Sequence, residues 1–246
     1  MNPHPLLILT GPSCTGKSPL MQAAKALHPQ WGNQMRPLVL YNSREPRPAE
    51  VDGIDYHFRP RAELEKMQQD PRYVCMDVRG DFQVLDIEEL KESLQASPVL
   101  FEGNPFIAKV LQTDARLESI PKRSVFMSPV SLEEIGEMNA LPGEDATQDI
   151  ITRIMRGKLE RRTVRQKGEL RESDHATIKR RSQSAWKEIQ MAPMFDFVVV
   201  NHDGEDSDNW FLPILAGEAR TATAAVHAGL TGEHSPNLEV WHELPL

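Results

Sequence analysis

Apolar residues along this chain come in short blocks separated by longer stretches in which they recur every three or four positions. Blocks of five to seven, such as Pro5-Leu6-Leu7-Ile8-Leu9-Thr10 and Pro98-Val99-Leu100-Phe101-Glu102, predict buried strands. The same reasoning gives strands over 5–10, 36–42, 72–78, 97–102, 123–127 and 195–200. The helical period predicts helices over 18–28, 61–69, 86–95, 104–113, 131–139, 147–165, 177–191 and 207–228. Strands alternating with helices imply an α/β fold, a mostly parallel sheet covered by helices on both faces. The stretch Thr231-Gly232-Glu233-His234-Ser235-Pro236 breaks the pattern before a short apolar tail, Leu238 to Leu246, which either packs on the core or is disordered.

The loop after the first strand changes the picture. Gly11-Pro12-Ser13-Cys14-Thr15-Gly16-Lys17-Ser18 fits G-x-x-x-x-G-K-[ST], a phosphate-binding loop between a strand and a helix. Its glycines let backbone N–H groups turn inward onto phosphate oxygens. Lys17 supplies a point charge to the outer phosphates, and the Ser18 hydroxyl suits Mg²⁺. The following helix aims its positive end at the same place. Gly11, Ser13, Cys14, Thr15, Gly16, Lys17 and Ser18 are therefore the candidate ATP-binding residues, with Ser18 the metal ligand.

A second cluster lies at Ser43-Arg44-Glu45-Pro46-Arg47-Pro48-Ala49-Glu50-Val51-Asp52-Gly53-Ile54-Asp55-Tyr56-His57-Phe58. Arg44 and Arg47, stiffened by Pro46 and Pro48, make a fork suited to a phosphate. Tyr56 adds a neutral donor, and Glu50 can hold an arginine in place.

Together the two segments resemble the guanylate kinase family, whose acceptor loop is a similar R-x-P-R-x-G-E-V-x-G-x-D-Y-x-F run at a similar distance after the P-loop. The resemblance covers most of residues 5–160 and resumes near 195. It implies a P-loop kinase that passes the γ-phosphoryl of ATP, with Mg²⁺, to a nucleoside monophosphate, a GMP-like acceptor. It implies that Arg44, Arg47, Glu50 and Tyr56 hold the acceptor. It places Asn201, in Phe195-Asp196-Phe197-Val198-Val199-Val200-Asn201-His202-Asp203, beside the adenine of ATP. Glu102 ends a strand where the family has Asp, and it faces either metal and acceptor or one of Arg44 and Arg47. The resemblance also divides the chain: a core of 1–33, 97–136 and 195–230, an acceptor-binding arm of 34–96, a lid of 137–194 and a tail of 231–246.

Departures from the family are as informative. The Glu and Ser/Thr that read guanine align, through Gly80, with Val74 and Leu85, and a phosphate-binding tyrosine aligns with Gln83. A slip of two residues would instead bring in Asp77 or Asp81. The lid's arginine-rich run is replaced by Gly136-Glu137-Met138-Asn139-Ala140-Leu141-Pro142-Gly143. Arg153, in Asp149-Ile150-Ile151-Thr152-Arg153-Ile154, resembles the arginine that closes on the transferring phosphate, with Arg156, Arg161, Arg162 or Arg165 as helpers. Some thirty residues are inserted from Arg161 to about Met194. The catalytic set implied is Lys17, Arg44 and Arg153; the acceptor set is Arg44, Arg47, Glu50, Tyr56, Gln83 and Glu102.

Composition narrows the partners. Net charge is −8, which argues against a general nucleic-acid binder. Yet Ile151–Lys187 carries twelve Lys/Arg against four Asp/Glu. That basic run is a solvated helical face, a replacement phosphate-binding lid, or an RNA or acidic-partner surface. Two cysteines, Cys14 and Cys75, suit a reducing, cytoplasmic compartment, and the histidines lack metal-ligand spacing. The N-terminal apolar run ends at Leu9, too short for a signal or membrane segment. Two other readings stand beside the GMP-like acceptor: a kinase for a different phosphorylated metabolite, and a non-catalytic binding module of the same fold. Oligomeric state is not legible.

Overall fold

A computed structural model describes residues 3–47 and 50–245. In chain order its elements are β1 (Leu6–Thr10), α1 (Lys17–Leu27), α2 (Pro29–Gln34), β2 (Arg36–Pro37), β3 (Leu40–Asn42) and β4 (Tyr56–Phe58). Then come α3 (Arg61–Leu64), β5 (Tyr73–Val78), β6 (Asp81–Asp86), α4 (Ile87–Ala96), β7 (Val99–Gly103) and α5 (Pro105–Thr113). The last are β8 (Lys122–Ser128), α6 (Leu132–Asn139), α7 (Ala146–Lys167), α8 (Glu172–Ile189), β9 (Phe197–Val200) and α9 (Gly217–Thr231).

The main sheet has five parallel strands in the order β2-β7-β1-β8-β9. Its central strand β1 is buried at all five positions, as a strand covered on both faces requires. Successive side chains point to opposite faces, so Leu6 and Ile8 enter one buried cluster and Leu7 and Leu9 another. The first cluster joins Phe101 and Phe126 to α4, α5, α7 and α8. The second joins Val125, Met127 and Val199 to Leu20 and Met21 of α1 and to the alanine-rich face of α9. Full burial of each large aliphatic side chain contributes about 1.5–3 kcal/mol.

A smaller four-stranded sheet, β4-β3-β6-β5, stands apart from the first. Its hairpin β5–β6 turns through Arg79 and Gly80, with φ of 59° and 93° and Val78 opposite Asp81. Two left-handed residues make the tight turn whose twist matches paired strands.

The expected strand over 36–42 is two strands, one in each sheet, because Pro37 begins a break and the chain crosses between sheets there. Strands β4 and β6 were not expected; β4 is three residues long, and β6 carries Asp81, Gln83 and Asp86, which mask a two-residue period. The helix expected over 207–228 begins only at Gly217, since Pro213 and the turn at Asp208–Trp210 interrupt it. The segment expected to be a lid is a helical hairpin. Ile151, Met155 and Leu159 of α7 and Ile178, Ala185 and Ile189 of α8 belong to the same buried cluster as the main sheet.

The tail packs rather than trailing away. Glu239 exchanges backbone hydrogen bonds of 2.9 and 2.7 Å with Val198, and Trp241 is buried in the first cluster. Leu246, at its end, lies outside the described residues, as does Pro48 of the arginine loop. Among the described residues no helix is long and apolar enough to cross a membrane.

Candidate active site

The loop 11–18 joins β1 to α1 at the carboxyl end of the main sheet, where open α/β sheets place ligands. Gly11 has φ 140°, and a Cβ there would lie 2.3 Å from the Met127 carbonyl oxygen. Gly16 has φ 88°, and a Cβ there would meet Trp210 at 2.7 Å and Asn201 at 2.8 Å. The loop therefore admits only glycine at both positions. Lys17 folds back along it, donating to the Gly11 carbonyl at 2.9 Å and the Pro12 carbonyl at 2.6 Å. Burial pulls the Lys17 ammonium below its ordinary pKa, while the nearby carboxylates of Glu205, Glu102 and Glu188 oppose that fall. Burial pushes the Cys14 thiol up to about 12, so it stays protonated and serves as a loop residue, not a nucleophile.

Ser18 donates to Glu102 Oε1 at 2.6 Å. The carboxyl of Glu102 is raised by burial, against the Ser18 hydrogen bond and the Lys17 charge. Of the two alternatives for Glu102, the structure joins it to Ser18 and not to Arg44 or Arg47. Two hard oxygen donors at the start of α1 fit a Mg²⁺ ion that takes one or two protein oxygens and completes its shell from phosphates and water. Among the described residues no group of three or more His, Cys, Asp or Glu could hold a metal alone.

The arginine loop leaves the end of β3. Arg44 grips Glu50 with both terminal nitrogens, at 2.6 and 2.7 Å. Its guanidinium lies 5.1 Å from the Tyr56 ring centroid and 5.3 Å from that of Phe58. Glu50 also accepts the Arg47 backbone N–H at 2.8 Å, fixing the loop between the two arginines. The Arg47 guanidinium stays 3.9 Å from Glu50, and burial with Arg44 alongside lowers its pKa.

Further arginines converge here from elsewhere. Burial, with the charges of Arg47, Arg162 and Arg79, pulls the Arg181 guanidinium down to about 9. Arg181 of α8 makes no ion pair among the described residues. Arg162 of α7 pairs with Glu205 at 2.9 Å. Burial would raise the Glu205 carboxyl, but Arg162 and Lys17 hold it below the ordinary range. Glu50, Glu188 and Glu205 lie among these arginines and offset part of their mutual repulsion.

Arg153 is not in this cluster. It is exposed on α7, roughly opposite the Arg162 face, as nine residues at 100° per residue dictate. Of its expected helpers, Arg156 pairs with Glu160 on the surface at 2.9 Å. Arg161, Arg162 and Arg165 pair with Asp206, Glu205 and Asp208. The basic face of α7 is thus matched by the acidic loop 203–208 of the same chain, a fourth arrangement beyond the three considered from sequence.

Asn201 is fully buried, and its amide donates to the Thr15 carbonyl at 2.9 Å and the Asp203 carbonyl at 2.8 Å. It braces the loop from below, and its Oδ1 has no partner among the described residues. Gln83 is buried and accepts from Asn104 at 3.0 Å, so it belongs to the frame between the two sheets. Val74 and Leu85 face each other across β5–β6, Leu85 with no exposure. Asp77 turns outward to Arg61 at 2.9 Å. Asp81 lies closer to the site, for its charge acts on Arg44 and Arg181.

Sequence reading missed Arg79, Arg181, Glu188 and Glu205 at this site. The signal for Arg181 was present as Ile178-x-x-Arg181, the same spacing as Ile150-x-x-Arg153.

Residues 4–162 match the family model described as guanylate kinase. The chain is 31% identical over 204 residues to a guanylate kinase of Synechococcus sp. (strain JA-3-3Ab), covering 82% of this chain and 77% of that one. It is 30% identical to a guanylate kinase of Nostoc sp. (strain PCC 7120), covering 81% and 83%. In fold it resembles the crystal structure of guanylate kinase from Anaplasma phagocytophilum, with a TM-score of 0.53 at 15% identity over 97% of this chain and 91% of that one.

Proposed function

From the premise that the chain belongs to the guanylate kinase family, we propose that it transfers the γ-phosphoryl group of ATP to the phosphate of a nucleoside monophosphate, with a GMP-like acceptor. The observation that carries this reading is a complete phosphate loop, with Lys17 and the Ser18–Glu102 pair, in one chain with the Glu50-braced arginines of the smaller sheet. Such a reaction needs no covalent protein intermediate. It needs in-line positioning and neutralisation of charge on the equatorial oxygens. Lys17 and the loop N–H groups would hold the donor phosphates. Arg44 and Arg47, with Tyr56, would hold the acceptor phosphate and aim its oxygen. Arg181 and Arg162 would neutralise the transferring group, the role that the resemblance implied for Arg153. Ser18 and Glu102 would hold Mg²⁺, which supplies charge neutralisation across the donor phosphates. Asn201 would act on ATP indirectly, by setting the loop.

Phosphorus NMR of the protein with Mg-ATP and GMP tests this. With GMP or another accepted nucleoside monophosphate, resonances of ADP and of the diphosphate product should grow together in equal amounts. ATP that stays intact with GMP and with other nucleoside monophosphates would overturn the reading.

A second acceptor class has its own support. Val74 and the fully buried Leu85 offer no hydrogen bond to a guanine edge, and Gln83 is already engaged by Asn104. A kinase for another phosphorylated metabolite would keep the clamp and need no base reader. A purely binding module is disfavoured because Lys17 and Ser18 are intact.

A further inference from the structure

Arg79 is one of two non-glycine residues with positive φ among the described residues, at 59°. It sits at the tip of the β5–β6 hairpin, yet its side chain is only 13% exposed. It reaches two other elements. Nε and one terminal nitrogen approach Glu188 Oε1 of α8 at 2.8 and 2.5 Å, and the other terminal nitrogen donates to Ser13 Oγ at 3.3 Å. Glu188 has no exposure and also accepts from Ser184 at 2.6 Å. Every donor to Glu188 converges on Oε1, and Oε2 is buried with no partner among the described residues. At the next residue, a Cβ on Gly80 would lie 2.9 Å from the Arg180 guanidinium, so α8 presses directly on the hairpin tip.

Stability does not explain the arrangement. A left-handed arginine is strained. An unpaired buried oxygen adds a desolvation cost. A buried ion pair is often no better for stability than an apolar pair of the same shape. What the arrangement does accomplish is to carry a cation from the smaller sheet to the phosphate loop.

We propose that Arg79 is a positioning residue that couples the smaller sheet to the donor loop, through Ser13 on one side and Glu188 on the other. Phosphates entering the loop bring negative charge next to the Arg79 nitrogen on Ser13. Arg79 then strengthens its hold there, and the hairpin tip is drawn onto the loop and α8. The sheet that carries Arg44 and Arg47 is thereby set against the donor before transfer. The proposal rests on the phosphotransfer reading of the site.

The test uses Arg79→Asn combined with Glu188→Gln. Asparagine followed by Gly80 keeps the two-residue turn, because both tolerate positive φ. Glutamine avoids stranding a buried charge. Amide hydrogen exchange of residues 78–81 is measured in the full chain with and without Mg-ATP, and no acceptor is required. In the natural chain Mg-ATP should slow exchange there by about fivefold or more, and the double variant should lose that response. Its kcat should fall by about tenfold or more, with the acceptor KM changed by less than about threefold. If the variant fails to fold, exchange in the natural chain still decides the question. No response to Mg-ATP in the natural chain, or an undiminished response in the variant, overturns the proposal. Absence of turnover in the natural chain would count against the phosphotransfer reading and leave the exchange result standing on its own.

Discussion

Lys17→Ala should remove turnover while leaving the fold intact. The ammonium is buried against the Gly11 and Pro12 carbonyls, in the loop that would wrap the donor phosphates. A point charge aimed at developing charge in a water-poor site contributes about 3–4 kcal/mol or more to the transition state, so kcat should fall about 10²- to 10³-fold or further. Folding should survive, because the hydrogen bonds lost cost about 1–3 kcal/mol, and removing a buried charge offsets part of that. Steady-state ADP release measured beside a thermal melt checks both halves. A folded variant that retains near-normal transfer would exclude the mechanism.

The second large effect is expected at the arginine loop. Arg44→Ala deletes the bidentate grip on Glu50 and leaves that carboxylate beside Arg47 alone. On the proposed reading both acceptor affinity and the aim of its attacking oxygen would depend on this fork. Acceptor kcat/KM should drop by about 10²-fold or more, in line with the 2–5 kcal/mol of a truncated buried charge pair. Arg44→Lys should recover little, since lysine cannot span both oxygens. ATP affinity should change by less than about threefold. Titrating ATP and acceptor separately decides it. If ATP binding collapses and acceptor binding does not, the loop serves the donor.

How far the site could be read in advance depended on whether its residues were local in sequence. Gly11–Ser18 is one continuous loop whose spacing dictates its shape, and Glu50 lies six residues from the arginine that it holds. Contacts across the fold were not legible. Glu102 meets Ser18 across 84 residues and Arg79 meets Glu188 across 109, and no local pattern sets such pairs. From sequence, Arg153 alone was expected as the lid arginine, although Ile178-x-x-Arg181 repeats its spacing. Only the packing of α7 and α8 against the main sheet shows which helix face turns inward, putting Arg181 in the cluster and Arg153 on the surface. The basic run had the same difficulty. Its neutralising acids lie in the loop 203–208, some forty residues away in the chain. Strands β4 and β6 escaped notice because the first is three residues long and the second carries Asp81, Gln83 and Asp86.

On the proposed reading the phosphate clamp is kept and the guanine reader is lost. The most direct measurement of it is kcat/KM for GMP, dGMP, AMP and several non-nucleotide phosphates under the same Mg-ATP conditions. A site that hydrogen-bonds its substrate rejects analogues by about 10⁴-fold or more, whereas an apolar wall separates methylene-sized differences by about 10- to 200-fold. With Val74 and Leu85 where the resemblance places the base-reading residues, GMP should be a poor acceptor, or should stand within about 200-fold of AMP. An exclusive preference for GMP of about 10⁴-fold would contradict the claim and point to Asp81 as the group that reads the base.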